Sequence, residues 1–204
     1  YGKGDGKMPY TETTSKNPID PYGVAKLACE MDLKIASEQH GLEYCILRPH
    51  NVYGKNQNIW DKYRNVLGIW MYQILNDKQI TIFGDGKQVR AFTYIDDILE
   101  PLWNAAINDN AKNQEINLGG IDETSINEAA KILLKICNKN TEIQYLEPRH
   151  EIKEAWSSHQ KSIDLLDFKM LTTLESGIIN MWDWVLQQPE RKQIKWEEFE
   201  LNDK

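Results

Sequence analysis

The 204-residue sequence is short of several features that would assign it to a class. It has three cysteines, Cys29, Cys45 and Cys137. They are odd in number, widely spaced and each set in an apolar stretch. That pattern excludes a disulfide framework or a zinc ribbon and reads as reduced, buried thiols of a cytoplasmic protein. His40, His50, His150 and His159 show no ligand spacing, so no metal site is expected. No run of roughly eighteen apolar residues occurs, and the opening Tyr1-Gly2-Lys3-Gly4-Asp5-Gly6-Lys7 is polar, without a signal-peptide pattern; no membrane partner is expected. Positive charge is scarce: 24 Lys and Arg against 31 Asp and Glu leave a net charge of -7. That balance argues against a general binder of nucleic acid or anionic membrane, although a few arginines suffice for a local anion pocket. No Gly-x-x-Gly-x-x-Gly turn follows a strand-like segment, so the loop that cradles a dinucleotide's phosphates is missing from these residues. Repeats, low-complexity tracts and an interdomain linker are missing too.

What is present is an ordinary globular composition, 41% hydrophobic and 27% charged, with enough chain to bury a substantial core. The stretch that organises the rest is Pro21-Tyr22-Gly23-Val24-Ala25-Lys26, which opens a helical pattern ending at Gly41. A helix turns once in 3.6 residues, so Tyr22 and Lys26 stack on one face, one turn apart. There an ammonium favours the phenolate form and makes a tyrosine usable as a base near neutrality. Asp20 and Pro21 stand where a cap and a helix-starting proline belong. Of the nine tyrosines, only Tyr22 has a lysine four residues on. Taken alone, the pair reads first as a half-buried tyrosine beside a solvated lysine. Val24, Leu27, Ala28, Met31, Ile35 and Ala36 give the helix an apolar stripe wider than one packing face needs, which predicts partial core burial.

Further along, Glu43 to Arg48 reads as a buried parallel strand stopped by Pro49, with the loop to Gly54 at its carboxyl end, the edge where ligands bind in open α/β sheets. Residues 62 to 76 read as a helix, Gln79 to Phe83 as a strand, and Gly84-Asp85-Gly86 as a turn needing glycine's freedom. Tyr94-Ile95-Asp96-Asp97 leads into a helix to Asn108, the aspartates serving as cap and first-turn acids. Glu115 to Leu118 reads as a strand, Thr124 or Ser125 as the cap of a helix to Asn138, and Thr141 to Leu146 as a last strand. Residues 147 to 158 read as a site loop, in which Trp156 either walls a ligand or fills core. Helical pieces follow over 161 to 187, and a charged tail from Pro189.

Five motifs in order, Tyr22-x-x-x-Lys26, Arg48-Pro49-His50-Asn51-Val52-Tyr53-Gly54, Ile82-Phe83-Gly84-Asp85-Gly86 with Arg90, Tyr94-Ile95-Asp96-Asp97 and Asn117-Leu118-Gly119-Gly120, resemble the extended short-chain dehydrogenase/reductase family, specifically its nucleotide-sugar epimerases and dehydratases. The resemblance implies the C-terminal two-thirds of such an enzyme. Its fold would be a partial Rossmann-like doubly wound sheet, lacking the N-terminal dinucleotide-binding half, with a smaller C-terminal α/β substrate-binding domain. Residues 1 to 60 would end the NAD-binding domain and 61 to 204 mainly bind the nucleotide-sugar, with 95 to 120 returning to the first.

By the same resemblance, Tyr22 and Lys26 are the catalytic pair. They would contact the NAD cofactor together with Pro49 and His50, the alternative for His50 being an ordinary loop histidine. Asn51, Asn65, Val66, Ile82, Phe83, Arg90, Arg149 and Glu151 would bind the nucleoside-diphosphate sugar, with Arg90 and Arg149 on the diphosphate and Glu151 on the ribose. Ala91 replaces the family's usual acid, and His150 its usual glycine. The helix from Tyr22 would pair with its copy in a homodimer. The implied activity is 4-epimerisation of UDP-glucose or UDP-galactose. A 4,6-dehydratase is the alternative, its distinguishing Asp-Glu pair falling upstream of Tyr1. In the absence of the phosphate cradle and of the family's Ser or Thr before Val-Tyr-Gly, these 204 residues alone are expected to be inactive, a truncated part of such an enzyme; the alternative of another class is a non-catalytic nucleotide-sugar-binding remnant.

Overall fold

The computed structural model describes residues 1–61, 65–149 and 151–191. The chain opens with the irregular segment 1–20 and then enters α1 (Pro21–His40). Asp20 caps this helix by accepting a hydrogen bond from the Gly23 amide at 2.6 Å, proline holds the first helical position, and Gly41 ends it in the left-handed region, where a residue without Cβ is unstrained. No residue of α1 is buried. Val24, Met31 and Ile35 stand 55, 56 and 48% exposed, which corrects the expected burial for these three; of that stripe Leu27 and Ala36 are half-buried, on the face turned to the protein with Glu30, Leu33 and Lys34.

β1 (Cys45–His50) runs through Pro49 instead of stopping before it. Among the described strands it has a ladder only with β6 (Gln114–Gly119), in parallel register from Cys45 opposite Gln114 to His50 opposite Gly119. A proline with no amide to donate fits a strand whose other edge carries no ladder.

β2 (Val52–Tyr53) pairs in parallel with β5 (Thr93–Tyr94), and between them lie α2 (Val66–Leu75), β3 (Thr81–Phe83) and β4 (Val89–Ala91). The first residues of the expected 62–76 helix lie outside the described residues; the rest form α2. Six of its ten residues are buried, as its almost wholly apolar sequence requires. At the turn after β3, Gly86 has φ +70°, and a Cβ there would strike the Asn127 amide. α3 (Ile95–Ile107) has Tyr94 as N-cap, with no side-chain cap bond. The aspartates are first-turn acids only, and Asp97 instead accepts from the Thr172 amide and hydroxyl at 3.1 and 2.8 Å.

After β6, the short β7 (Glu123–Ser125) pairs antiparallel with β4. Ser125 then closes a capping box with Glu128 at the start of α4 (Ile126–Ile136). β8 (Gln144–Leu146) pairs in parallel with β3. It is not the last strand: β9 (Glu154–Ala155) follows inside the expected site loop and pairs in parallel with β4. α5 (Gln160–Leu166) and α6 (Leu174–Val185) complete the described fold, a mixed α/β architecture built mainly from parallel strand pairs.

The main core joins α2, α4 and α6 through Leu67, Trp70, Met71, Ala129, Leu133, Ile178 and Met181, with Ile80 and Ile82 beneath. Two smaller clusters, Ile98, Leu118 and Phe168, and Ala111, Ile116 and Leu166, seat α3 and α5 on β6. Cys137 is buried and Cys45 half-buried, but Cys29 is exposed on α1, so the expectation of three buried thiols fails there. Among the described residues no helix is long and apolar enough to cross a membrane.

Candidate active site and nucleotide-sugar cleft

Two clefts meet at Asn51 and Arg90, which line both. The first, about 700 Å³, runs beneath the start of α1 and gathers Tyr22 and Lys26 with Pro49 and His50 from the carboxyl end of β1. The cap at Asp20 and the proline at position 21 start the helix just before Tyr22, so its first turn presents the phenol at the cleft mouth. Tyr22 is 72% exposed, and the Lys26 ammonium lies 5.4 Å from its ring centre. That is the one-turn offset expected from their spacing.

His50 has a different setting from a loop histidine. Its ring stacks on His159, centroids 4.9 Å apart and planes at 29°. His50 Nε2 and both ring nitrogens of His159 are buried with no partner among the described residues. Burial, reinforced by the neighbouring imidazole, lowers the His50 pKa to about 4, and burial lowers that of His159 too. His50 is therefore neutral at pH 7, and it lines the first cleft with its Nε2 buried beside Gly119.

The second cleft, about 780 Å³, is lined by Asn51, Asn65, Val66, Ile82, Phe83, Arg90, Arg149 and Glu151. Residues drawn from positions 51 to 151 thus come together because β3, β4, the loop after β8 and the start of α2 border one hollow. Several of these side chains already have partners. Asn51, at φ +47°, donates to the Ala91 carbonyl at 2.9 Å. Asn65 caps α2 by accepting from the Leu67 amide at 3.2 Å and donates to the Val52 carbonyl. Ile82 is buried in the main core, whereas the Arg149 guanidinium lies 3.4 Å from the centre of the Phe83 ring.

Arg90 is turned onto the 151–153 segment. It donates to the carbonyls of Val89, Ile152 and Lys153 at 2.8, 2.7 and 3.2 Å and to Glu151 at 3.1 Å. Burial lowers its pKa from the usual guanidinium value. Glu151, expected on ribose hydroxyls, holds Arg90 and also accepts from Gln88 at 2.9 Å. His150 lies outside the described residues.

Trp156, read as either a ligand wall or core, lines the first cleft, as does Tyr10, and Gln73 lines the second; the last two carried no signal as site residues in the sequence. The sequence reading passed over a charged cluster under α1. Arg48 donates to both carboxylate oxygens of Glu30 at 2.7 and 2.7 Å and to the Tyr1 hydroxyl at 2.7 Å, and also contacts Glu115. Glu115 accepts from Lys16 at 3.2 Å and from Lys34. The four-residue spacing Tyr22, Lys26, Glu30, Lys34 was the available signal. Burial would raise the Glu115 carboxyl, but hydrogen bonds from Lys34 and Arg48 outweigh it and hold the pKa at about 2.

The chain is similar in sequence and fold to proteins of one family. Residues 1–119 match the family described as NAD dependent epimerase/dehydratase. A putative UDP-glucose 4-epimerase of Methanocaldococcus jannaschii is 32% identical over 179 residues, covering 87% of this chain and 57% of that protein. The trifunctional UDP-glucose 4,6-dehydratase, 3,5-epimerase and reductase of Arabidopsis thaliana is 25% identical over 181 residues, covering 88% of this chain and 26% of it. The UDP-glucuronic acid 4-epimerase of Bacillus cereus, solved with UDP-glucuronic acid and NAD, superposes with a TM-score of 0.83 at 31% identity, over 89% of this chain and 57% of that one. The chain spans about half the length of the 4-epimerase relatives it matches. With 119 residues matched from Tyr1 onward and the same fold carried through the remainder, the chain belongs to the NAD dependent epimerase/dehydratase family.

Proposed function

We propose that the protein carrying this chain epimerises a nucleoside-diphosphate sugar at C4, with UDP-glucose and UDP-galactose as the first substrates to try. The observation that carries the reading is the junction at Asn51 and Arg90 of two clefts, one holding Tyr22 and Lys26, the other rimmed by two arginines and an aromatic ring. A sugar at the junction would have its diphosphate and base in the second cleft and its reacting carbon beside Tyr22.

The described residues fit the nicotinamide end of NAD: Tyr22, Lys26, Pro49 and His50 line one cleft, and His50 Nε2 is a buried polar atom with no partner. When bound, NAD supplies reversible hydride chemistry at the sugar C4, giving a 4-keto sugar between the two epimers. In this reading Tyr22 takes the proton from the 4-hydroxyl and returns it. Lys26, one turn on, holds the nicotinamide ribose. Arg90 and Arg149 bind the diphosphate, Arg90 by a planar fork that matches phosphate oxygens. To do so, Arg90 must exchange Glu151 for the ligand. We assign 1–60 and 95–120 to the cofactor side, in keeping with the β1–β6 pair, and the rest of 61–204 to the nucleotide-sugar.

The test is to incubate the purified full-length protein that carries this chain with NAD and UDP-glucose, UDP-galactose or UDP-glucuronic acid and read the sugar by NMR. A C4 epimer supports the proposal. A 4-keto-6-deoxy product would move it to the dehydratase reading, one of the three activities in the Arabidopsis relative's name. Neither product from any of the three sugars would overturn it.

A further inference from the structure

Tyr22 and Lys26 act only if α1 is held at a fixed height and rotation, yet no residue of α1 is buried. From its lower half, Glu30 and Lys34 face the sheet beside the half-buried Leu33 and Ala36, and the specific contacts are charged. Tyr22, Lys26, Glu30 and Lys34 descend one stripe at four-residue steps, so Glu30 lies two turns, about 12 Å, below Tyr22 along the axis. Glu30 meets Arg48 of β1 through two parallel hydrogen bonds of 2.7 Å, and Lys34 meets Glu115 of β6. Arg48 joins the halves by contacting Glu115 as well, and Lys16 and the Tyr1 hydroxyl close the cluster. The side chains of Glu30, Arg48 and Glu115 are only 15, 12 and 17% exposed, so water competes weakly for these contacts and the charges are costly to leave unpaired.

We propose that Glu30, Arg48 and Glu115 are positioning residues: a two-point polar clamp that sets the rotation of α1 on the β1–β6 pair and so aims Tyr22 and Lys26 into the cleft. A planar fork against a carboxylate fixes direction as well as distance, which an apolar contact does not. The fork at Glu30 fixes the helix in rotation, and the Lys34–Glu115 contact one turn lower fixes its tilt. An aiming role is a demanding one, because a misplacement of about 1 Å at a reacting group costs on the order of a hundredfold in rate. The catalytic half of this inference rests on the epimerase reading above; the mechanical half does not.

The experiment compares the protein with its E30Q and R48K variants by steady-state kinetics on the UDP-sugar, active-site titration, thermal unfolding and amide hydrogen exchange. E30Q keeps the side chain's size and loses its charge; R48K keeps the charge, loses the fork, and serves as the milder variant if E30Q fails to fold. Exchange over residues 21–40 should rise about tenfold while α2 and α4 stay as in the parent. Turnover per active site should fall about tenfold or more, with KM for the nucleotide-sugar within about twofold, because the second cleft is untouched. R48K should fall between parent and E30Q. Unchanged exchange in α1 overturns the clamp. Loosened α1 with unchanged turnover per active site overturns its aiming role. Loosened α1 in a parent protein that converts no nucleotide-sugar upholds the mechanical clamp and sinks the epimerase reading instead.

Discussion

At the scale of single residues, two side chains carry opposite demands. In the proposed reaction Tyr22 must be exposed to reach a substrate, and it is. Removing its hydroxyl leaves the ring and the helix intact, so Tyr22→Phe should cut turnover by about 10²- to 10⁴-fold with little change in nucleotide-sugar KM. Near-normal turnover in that variant would remove Tyr22 from the chemistry. His50 must stay neutral where it is buried on His159. Its pKa falls from 6.5 to about 4 on folding. Between those values the unfolded chain binds a proton that the folded chain excludes, so stability rises with pH across that window. The full difference is worth roughly 3 kcal/mol, and His159 acts in the same sense. Urea unfolding at pH 4.5 and 7 should show this dependence reduced in His50→Gln; an identical dependence in the two proteins would contradict it.

At the scale of elements, local chemistry accounts for the helix ends and long-range contacts for what the helices do. Ser125 accepts from the Glu128 amide at 3.2 Å, and the Glu128 carboxylate accepts from the Ser125 amide at 2.9 Å, so two end groups of α4 are satisfied at once. Ser125→Ala should lower stability by about 1 kcal/mol, read as a shifted midpoint in urea with the slope unchanged. A midpoint within error of the parent would mean water replaces the cap. α1 is the contrary case. Its capping was readable in Asp20 and Gly41, but its facing was not: Val24, Met31 and Ile35 look like core in the sequence and stand exposed, while the charged Glu30 and Lys34 face the sheet. Hydrophobic spacing identifies a helix; it does not say whether the apolar stripe or the charged one finds a partner.

At the scale of the whole molecule, the unburied apolar stripe of α1 has a consequence for assembly. We infer that a second copy covers it in a homodimer, since three exposed aliphatic side chains on one helix are a costly surface for water to wet. Light scattering should give twice the monomer mass for the protein and a shift toward the monomer for Met31→Glu. A monomeric parent, or a variant dimer as tight as the parent's, would rule out this helix as the contact.

The sequence by itself determined the family resemblance, the mixed α/β class, the helix start at Asp20, a second at Thr124 or Ser125, and many of the residues that border the clefts. These follow from local rules: caps, glycine turns and motifs whose spacing is short. Only the tertiary structure decided that Pro49 sits inside a strand, that Asn51 and Arg90 join two clefts, that Arg90 is held by Glu151, that His50 stacks on His159, and that α1 is seated by charge. Each of these depends on contacts between residues tens of positions apart. Burial and pairing are properties of the folded surroundings, and a linear pattern does not contain them.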